Sequence, residues 1–218
     1  MGHNSILIIG ESGTGKSTSI RSLNPSTTFI INTINKPFPF KGGQENYKIA
    51  TKENPEGNVF ATDNASTILR VIDKINKNRP DVQTMIIDDF QYIMSNEFMR
   101  RALEKGFDKF SEIGQNAWAI INALNACRDN LATIVLSHSE INETTGKAKC
   151  KTIGRMIDDK VCLEGMFTVV LQSVIVDGQY KFMTQHDGTS IAKSPLGMFD
   201  SKFIPNDLET VLNAVRNY

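Results

Sequence analysis

Along this chain of 218 residues, short unbroken apolar runs alternate with longer segments in which apolar residues recur every three or four positions. The unbroken runs are Ile6-Leu7-Ile8-Ile9, Thr27-Thr28-Phe29-Ile30-Ile31-Asn32, Thr84-Met85-Ile86-Ile87 and Ala132-Thr133-Ile134-Val135-Leu136. Each is too short for a helix, rich in β-branched residues and without a polar face. That is the pattern of a strand covered on both sides, as in a parallel sheet. Asn58 to Thr62 predicts a briefer strand. Helical spacing follows it in Ile68, Leu69, Ile72 and Ile75, behind a cap at Asp63 or Asn64 and ending at Arg79-Pro80. A helix is also expected from Thr18 to Leu23. From Ser95 to Arg128 the pattern is helical but interrupted by Gly106 and Gly114, with Trp118, Ile121 and Leu124 on one core-facing stripe.

Two stretches lack a regular pattern. Lys36 to Gly57 carries Pro, Gly, Asn and Lys with scattered aromatics, a composition that favours a surface loop over one that overlies a ligand. Glu140 to Lys160 loses hydrophobic periodicity altogether. Beyond it, Phe167 to Val176 and Gln179 to Thr184 flank Asp177-Gly178, the pair that suits a type I′ turn, so the sheet is expected to turn antiparallel there. Gly188 to Pro205 is turn-rich. Asn206 with Glu209 resembles a capping box opening a last helix that turns Leu208, Val211, Leu212 and Val215 inward. The expected architecture is one α/β domain over 1–218, with a mainly parallel central sheet flanked by helices and a C-terminal antiparallel hairpin.

Charge adds little to this picture: 24 Lys and Arg balance 24 Asp and Glu, so any contact with a polyanion must come from a local cluster. The three cysteines, Cys127, Cys150 and Cys162, are too few and too far apart for a disulfide frame or a paired metal motif, and they fit a reducing cytosol. No apolar run approaches the roughly 18 residues needed to span a bilayer. A soluble, cytoplasmic protein without membrane contact is expected.

Chemistry enters between the first strand and the first helix. Gly10-Glu11-Ser12-Gly13-Thr14-Gly15-Lys16-Ser17, with Thr18 behind it, matches the phosphate-cradling pattern G-x-x-x-x-G-K-[ST] at every fixed position. Glycines let backbone N–H groups turn inward around a phosphate, and a helix N-terminus adds its positive end at the same point. Lys16 is then expected at the β- and γ-phosphates of ATP, and the Ser17 hydroxyl on a magnesium ion (Mg²⁺). A second apolar strand delivers Asp88 and Asp89 at its carboxyl end, where open parallel sheets place their ligands. Asp88 reads as the metal-holding acid and Asp89 as the residue that orients an attacking water. A further strand ends in Ser137-His138, where a side chain can sense the γ-phosphate. Within Gly146 to Arg155 there are four positive charges, Lys147, Lys149, Lys151 and Arg155, and no acid. They could track the phosphates of a nucleic acid or supply a cation to the nucleotide of a neighbouring subunit, and a merely solvated loop is the alternative.

This order of elements resembles the RecA-type ATPase core. The runs Met85-Ile86-Ile87-Asp88-Asp89-Phe90, Lys151-Thr152-Ile153-Gly154 and Ala192-Lys193-Ser194-Pro195 are similar to the compact phage RecA-like ATPases of the Sak group, which promote single-strand annealing. The resemblance implies ATP-dependent handling of single-stranded DNA in phage recombination, in a host cytoplasm. It further implies Lys16 and Ser17 as phosphate and Mg²⁺ contacts, Asp88 as the Walker B acid and Ser137 or His138 as the sensor, with the DNA-binding loop mapping to Glu140 through Lys160. A homo-oligomer, ring or filament, and a single-strand-binding protein are the implied partners. Two departures stand out. RecA carries its catalytic glutamate just after the second strand, whereas Asn32-Thr33-Ile34-Asn35 has no acid, which leaves Asp89 as the candidate. RecA's N-terminal polymerisation segment has no counterpart before Ile6. Two other readings share the P-loop: a nucleotide-gated binding module that hardly hydrolyses ATP, and a small-molecule kinase, which would want an Arg-rich lid where this chain offers mostly Lys.

Overall fold

The computed structural model describes residues 5–153 and 161–218. Its strands are β1 (Ser5–Gly10), β2 (Thr28–Asn32), β3 (Val59–Ala61), β4 (Thr84–Asp88), β5 (Ala132–Ile141), β6 (Ala148–Cys150), β7 (Val169–Val176), β8 (Gln179–Met183) and β9 (Phe203–Pro205). The helices are α1 (Gly43–Asn46), α2 (Ala65–Asn78), α3 (Gln91–Arg100), α4 (Asp108–Asn125) and α5 (Leu208–Asn217). The sheet runs β3-β2-β4-β5-β1-β7-β8-β9, parallel as far as β7 and antiparallel beyond it, while β6 pairs with the far end of β5.

The expected apolar runs form the centre of this sheet, and alternation sends their side chains into two separate cores. Leu7, Ile9, Phe29, Ile31, Met85, Ile87 and Val135 pack under α2, α3 and α4. Ile6, Ile8, Ile30, Ile86, Ile134 and Leu136 pack on the other side, against Ile20 and the inner face of α5. Burying each such side chain contributes about 1.5–3 kcal/mol. Unbroken apolar strands are therefore stable only because both faces are covered.

Helix α2 starts as expected, with the Asn64 side chain accepting from the Thr67 N–H at 2.9 Å, and buries Ile68, Ile72 and Ile75. Its far end is held by Arg128, which donates to the carbonyls of Ile75, Asn76, Arg79 and Val82 at 2.5–3.0 Å. The carbonyls of Ile75 and Arg79 also accept one backbone N–H each, from Arg79 and Val82, and the guanidinium adds further donors where the helix ends.

The expected helix after the P-loop is present as Ser17–Ser22, of the 3-10 type. Its hydroxyls compete for the backbone: Ser19 Oγ donates to the Lys16 carbonyl at 2.5 Å and Ser22 Oγ to that of Ser19. Several expectations are corrected. On α4, Trp118 is half exposed, because the buried stripe runs through Ile113, Ala117, Ile121 and Leu124 and the next residue after Ala117 is turned away. Gly114 lies inside that helix, whereas Gly106, at φ +91°, breaks the chain before it. The last helix is capped by Asp207, whose side chain accepts from the Thr210 N–H at 2.9 Å, and not by Asn206. The start of the patternless stretch after Glu140 is a hairpin, because β5 overshoots to Ile141 and Ala148 and Cys150 point inward from β6. The Asp177-Gly178 turn is as expected, with both residues at positive φ, 52° and 72°.

Candidate functional site

β5 lies between β1 and β4, which sets the site's layout. The P-loop leaves the end of β1 and the two aspartates leave β4, so the last inward residue of β5 falls between them. In register, His138 stands beside Gly10. A cleft of about 500 Å³ opens at this edge. One bank is P-loop, lined by Ser12, Gly13, Gly15, Lys16, Ser17, Thr18 and Arg21; the other carries Lys36, Pro37, Pro39, Asp89 and His138, with Tyr180 and Asn206 at one end.

Glycine is required at two kinds of position here. Gly13 and Gly15 sit at φ +80° and +93°, in the left-handed region. Gly10 is needed for space, because a Cβ would lie 2.9 Å from the Ser173 carbonyl oxygen of β7. The loop is braced from that strand: Ser173 Oγ donates to the Thr14 carbonyl at 2.6 Å, and Asn206 Nδ2 donates to Ser173 Oγ at 3.2 Å. Gly10, Glu11 and Thr14 thus shape the loop from behind and do not line the cleft.

Lys16 is buried, its ammonium donating to the carbonyls of Gly10 at 2.9 Å and Glu11 at 2.8 Å. Burial lowers its pKa to about 8, against the pull of Asp89 and Asp88. Across the floor, Ser17 Oγ donates to Asp88 Oδ1 at 2.8 Å. Burial, and then the neighbouring charge of Asp89, push the Asp88 carboxyl up to about 6, against the Ser17 hydrogen bond and the charges of Lys36 and Lys16. A hydroxyl and a carboxylate so disposed could hold Mg²⁺, which takes one or two protein oxygens and completes its shell with phosphate and water. Among the described residues no group of three or more His, Cys, Asp or Glu could hold a metal, so a divalent ion here would depend on such outside oxygens.

Asp89 is buried and adopts φ 64°, a left-handed conformation rare outside glycine and asparagine. Thr33 Oγ1 fixes this turn by donating to the carbonyls of Asp88 and Asp89, both at 2.9 Å. The carboxylate pairs with His138 Nε2 at 3.3 Å through Oδ1 and with Lys36 Nζ through Oδ2. Burial alone would raise its pKa, yet these two partners hold it down to about 2.

Ser137 is not at the cleft. It is fully buried on the opposite face of β5, hydrogen-bonded to Gln91 Oε1 at 3.3 Å and approached by Cys150 Sγ at 3.3 Å. Adjacent strand residues face opposite ways, so of the two expected sensing positions only His138 reaches the site. The basic segment is divided. Lys149 is paired with Glu140 at 3.1 Å across the hairpin, Lys147 sits near its turn, Lys151 is exposed, and Arg155 and Lys160 lie outside the described residues. Lys36, Tyr180 and Asn206 carry no local signal in the sequence. The prolines that follow Lys36 turn the start of that loop over the cleft, while Phe38, Phe40 and Tyr47 form a tilted aromatic cluster beneath. The expected surface loop is therefore half cleft wall.

The AAA domain family model matches residues 3–196 of this chain. No curated protein matches it.

Proposed function

The chain belongs to the AAA domain family of P-loop ATPases, and we propose that its cleft binds Mg-ATP, hydrolyses it, and couples that cycle to single-stranded DNA in recombination of the phage annealing type. The observation that carries the nucleotide reading is the Ser17–Asp88 contact, because it brings a P-loop hydroxyl and a buried carboxylate at the end of β4 within 2.8 Å of each other, the two oxygens a magnesium ion would share. Lys16, Gly13 and Gly15 would take the phosphates. The ion, held by Ser17 and Asp88, would supply charge neutralisation of the phosphates. Asp89 would orient a water and accept its proton, as that oxygen bonds to the γ-phosphorus and the bond to the β–γ bridging oxygen breaks, its electron pair leaving with ADP. His138 would report the terminal phosphate along β5.

Support for the DNA reading comes from the resemblance to the Sak group and from chain continuity. His138 lies on β5, the first arm of the hairpin, whose second arm β6 carries Lys149 with Lys147 just before it, and the Lys151 N–H donates to the His138 carbonyl at 2.8 Å. A change at His138 would thus be felt at the base of the basic hairpin. ATP turnover measured with and without single-stranded DNA tests the whole reading, and Lys16→Ala is expected to abolish nucleotide binding. A wild type that binds no nucleotide, or a Lys16→Ala variant equal to it, would remove the site. Charge reversal at Lys147 and Lys151 is expected to weaken DNA binding and to flatten its salt dependence by about one unit per lost phosphate contact. An unchanged slope would take the hairpin out of the interface.

A second reading is a nucleotide-gated module with little hydrolysis, assembling with copies of itself or with a single-strand-binding protein. The absence of an acid after β2, and a cation already seated on Asp89, favour it. Nucleotide binding without turnover would decide for it.

A further inference from the structure

Among the described residues three side chains of fixed positive charge line the cleft, and of these only Lys36 is engaged with the catalytic acid. Lys16 is folded onto its own loop and Arg21 donates to the Thr18 carbonyl at 3.0 Å. Lys36 reaches in from the opposite bank. Its backbone is fixed, since the Lys36 carbonyl accepts from Asn32 Nδ2 at 2.8 Å and Pro37 follows, but its side chain is 41% exposed. It is engaged through its ammonium with a carboxylate that is 2% exposed.

With Lys36 on Oδ2 and His138 on Oδ1, both oxygens of Asp89 are occupied by donors. Each oxygen keeps a further lone pair, but the ammonium beside Oδ2 draws on the carboxylate's charge and weakens it as an acceptor of a water's proton. We propose that Lys36 is the residue that tells a nucleoside triphosphate from a diphosphate: it leaves Asp89 for the terminal phosphate, and so releases the catalytic acid only when there is a phosphate to transfer. This rests on the nucleotide reading above.

The exchange is favourable for a simple reason. A terminal phosphate presents about two negative charges and three oxygens to an ammonium that now serves a single carboxylate charge. A diphosphate ends short of that bank, so with it Lys36 stays where it is. Asp89 is then weakened as an acceptor in the empty and product-bound protein and restored in the substrate-bound one. The cation comes from the same chain and needs no neighbouring subunit.

The proposal makes a prediction with an unusual sign. Removing the charge of Asp89 frees Lys36, so Asp89→Asn should bind a non-hydrolysable ATP analogue tighter than wild type, by several-fold, with ADP affinity unchanged. Lys36→Ala should lose preference for the triphosphate by about tenfold, the size of one charge-assisted hydrogen bond. Lys36→Arg should keep most of it. Because Lys36→Ala strands a buried carboxylate, the Lys36→Ala/Asp89→Asn pair is measured alongside it and should fold while losing the gain of Asp89→Asn. Calorimetric titration of the full chain with magnesium and either nucleotide reads all four variants. An Asp89→Asn affinity that does not rise, or a rise that survives loss of Lys36, overturns the proposal while leaving nucleotide binding intact. Failure of the wild type to bind either nucleotide would instead overturn the reading beneath it.

Discussion

At the scale of single residues, the proposed acid chemistry turns on Asp89, which combines a charge with an unusual backbone. At φ 64° an alanine would add left-handed strain to the loss of the carboxylate, whereas asparagine tolerates that region. Asp89→Asn is therefore the clean variant: folded, nucleotide-binding, and slower in turnover by about 100- to 1000-fold if the carboxylate takes the proton. Steady-state phosphate release checks it, and turnover at the wild-type rate would leave the base elsewhere. What could be read in advance at this scale was contiguous. The P-loop and the Asp88-Asp89 pair are runs of neighbours whose spacing is itself the chemistry. Lys36 and Asn206 come from irregular segments, and only folding brings them to the cleft. Ser137 could not be separated from His138 by motif alone, and the strand's alternation decided between them.

At the scale of elements, local rules hold where local forces dominate. The Asp177-Gly178 turn and the Asn64 cap follow from side-chain chemistry within a few residues. The helix expected after the P-loop is of the 3-10 type because its serines spend their hydroxyls on its own backbone, a competition that apolar spacing does not display. Two long-range ties between elements can be measured. Arg128→Met removes four donors from carbonyls at the end of α2 and should lower stability by about 2–3 kcal/mol, seen as a shift of the urea midpoint with an unchanged slope. Asp63 ties the start of α2 to α3 through Arg100 and Asn96, both at 2.7 Å. Partial burial would raise its pKa, but those two partners hold the carboxyl below the ordinary value of 3.8. A depressed carboxyl stabilises the fold above its unfolded value and loses that contribution as pH falls through its folded one. Asp63→Asn should thus cost about 0.5 kcal/mol at neutral pH, since Arg100 is half exposed, and less at pH 2. Equal losses at both pH values would show that the effect is not charge.

At the scale of the whole molecule, the parallel sheet was legible because its strands have no polar face, and the inserted position of β5 was not, because pairing order leaves no trace in periodicity. That order explains why side chains from β1, β4 and β5 share one cleft. The central strand β4 makes Ile86 a sensitive test of the two-core arrangement. Ile86→Ala should remove about 2–5 kcal/mol, and a loss below 1 kcal/mol would be inconsistent with its complete burial. The bracing of the P-loop by Ser173 and Asn206 has a further consequence in time. During synthesis the glycine loop emerges first, but Ser173, which braces Thr14, follows 159 residues later, and Asn206 and the inner face of α5 later still. If the cleft holds a triphosphate as proposed, a chain halted at residue 196 should fail to retain it, and one that includes the residues through 218 should capture it.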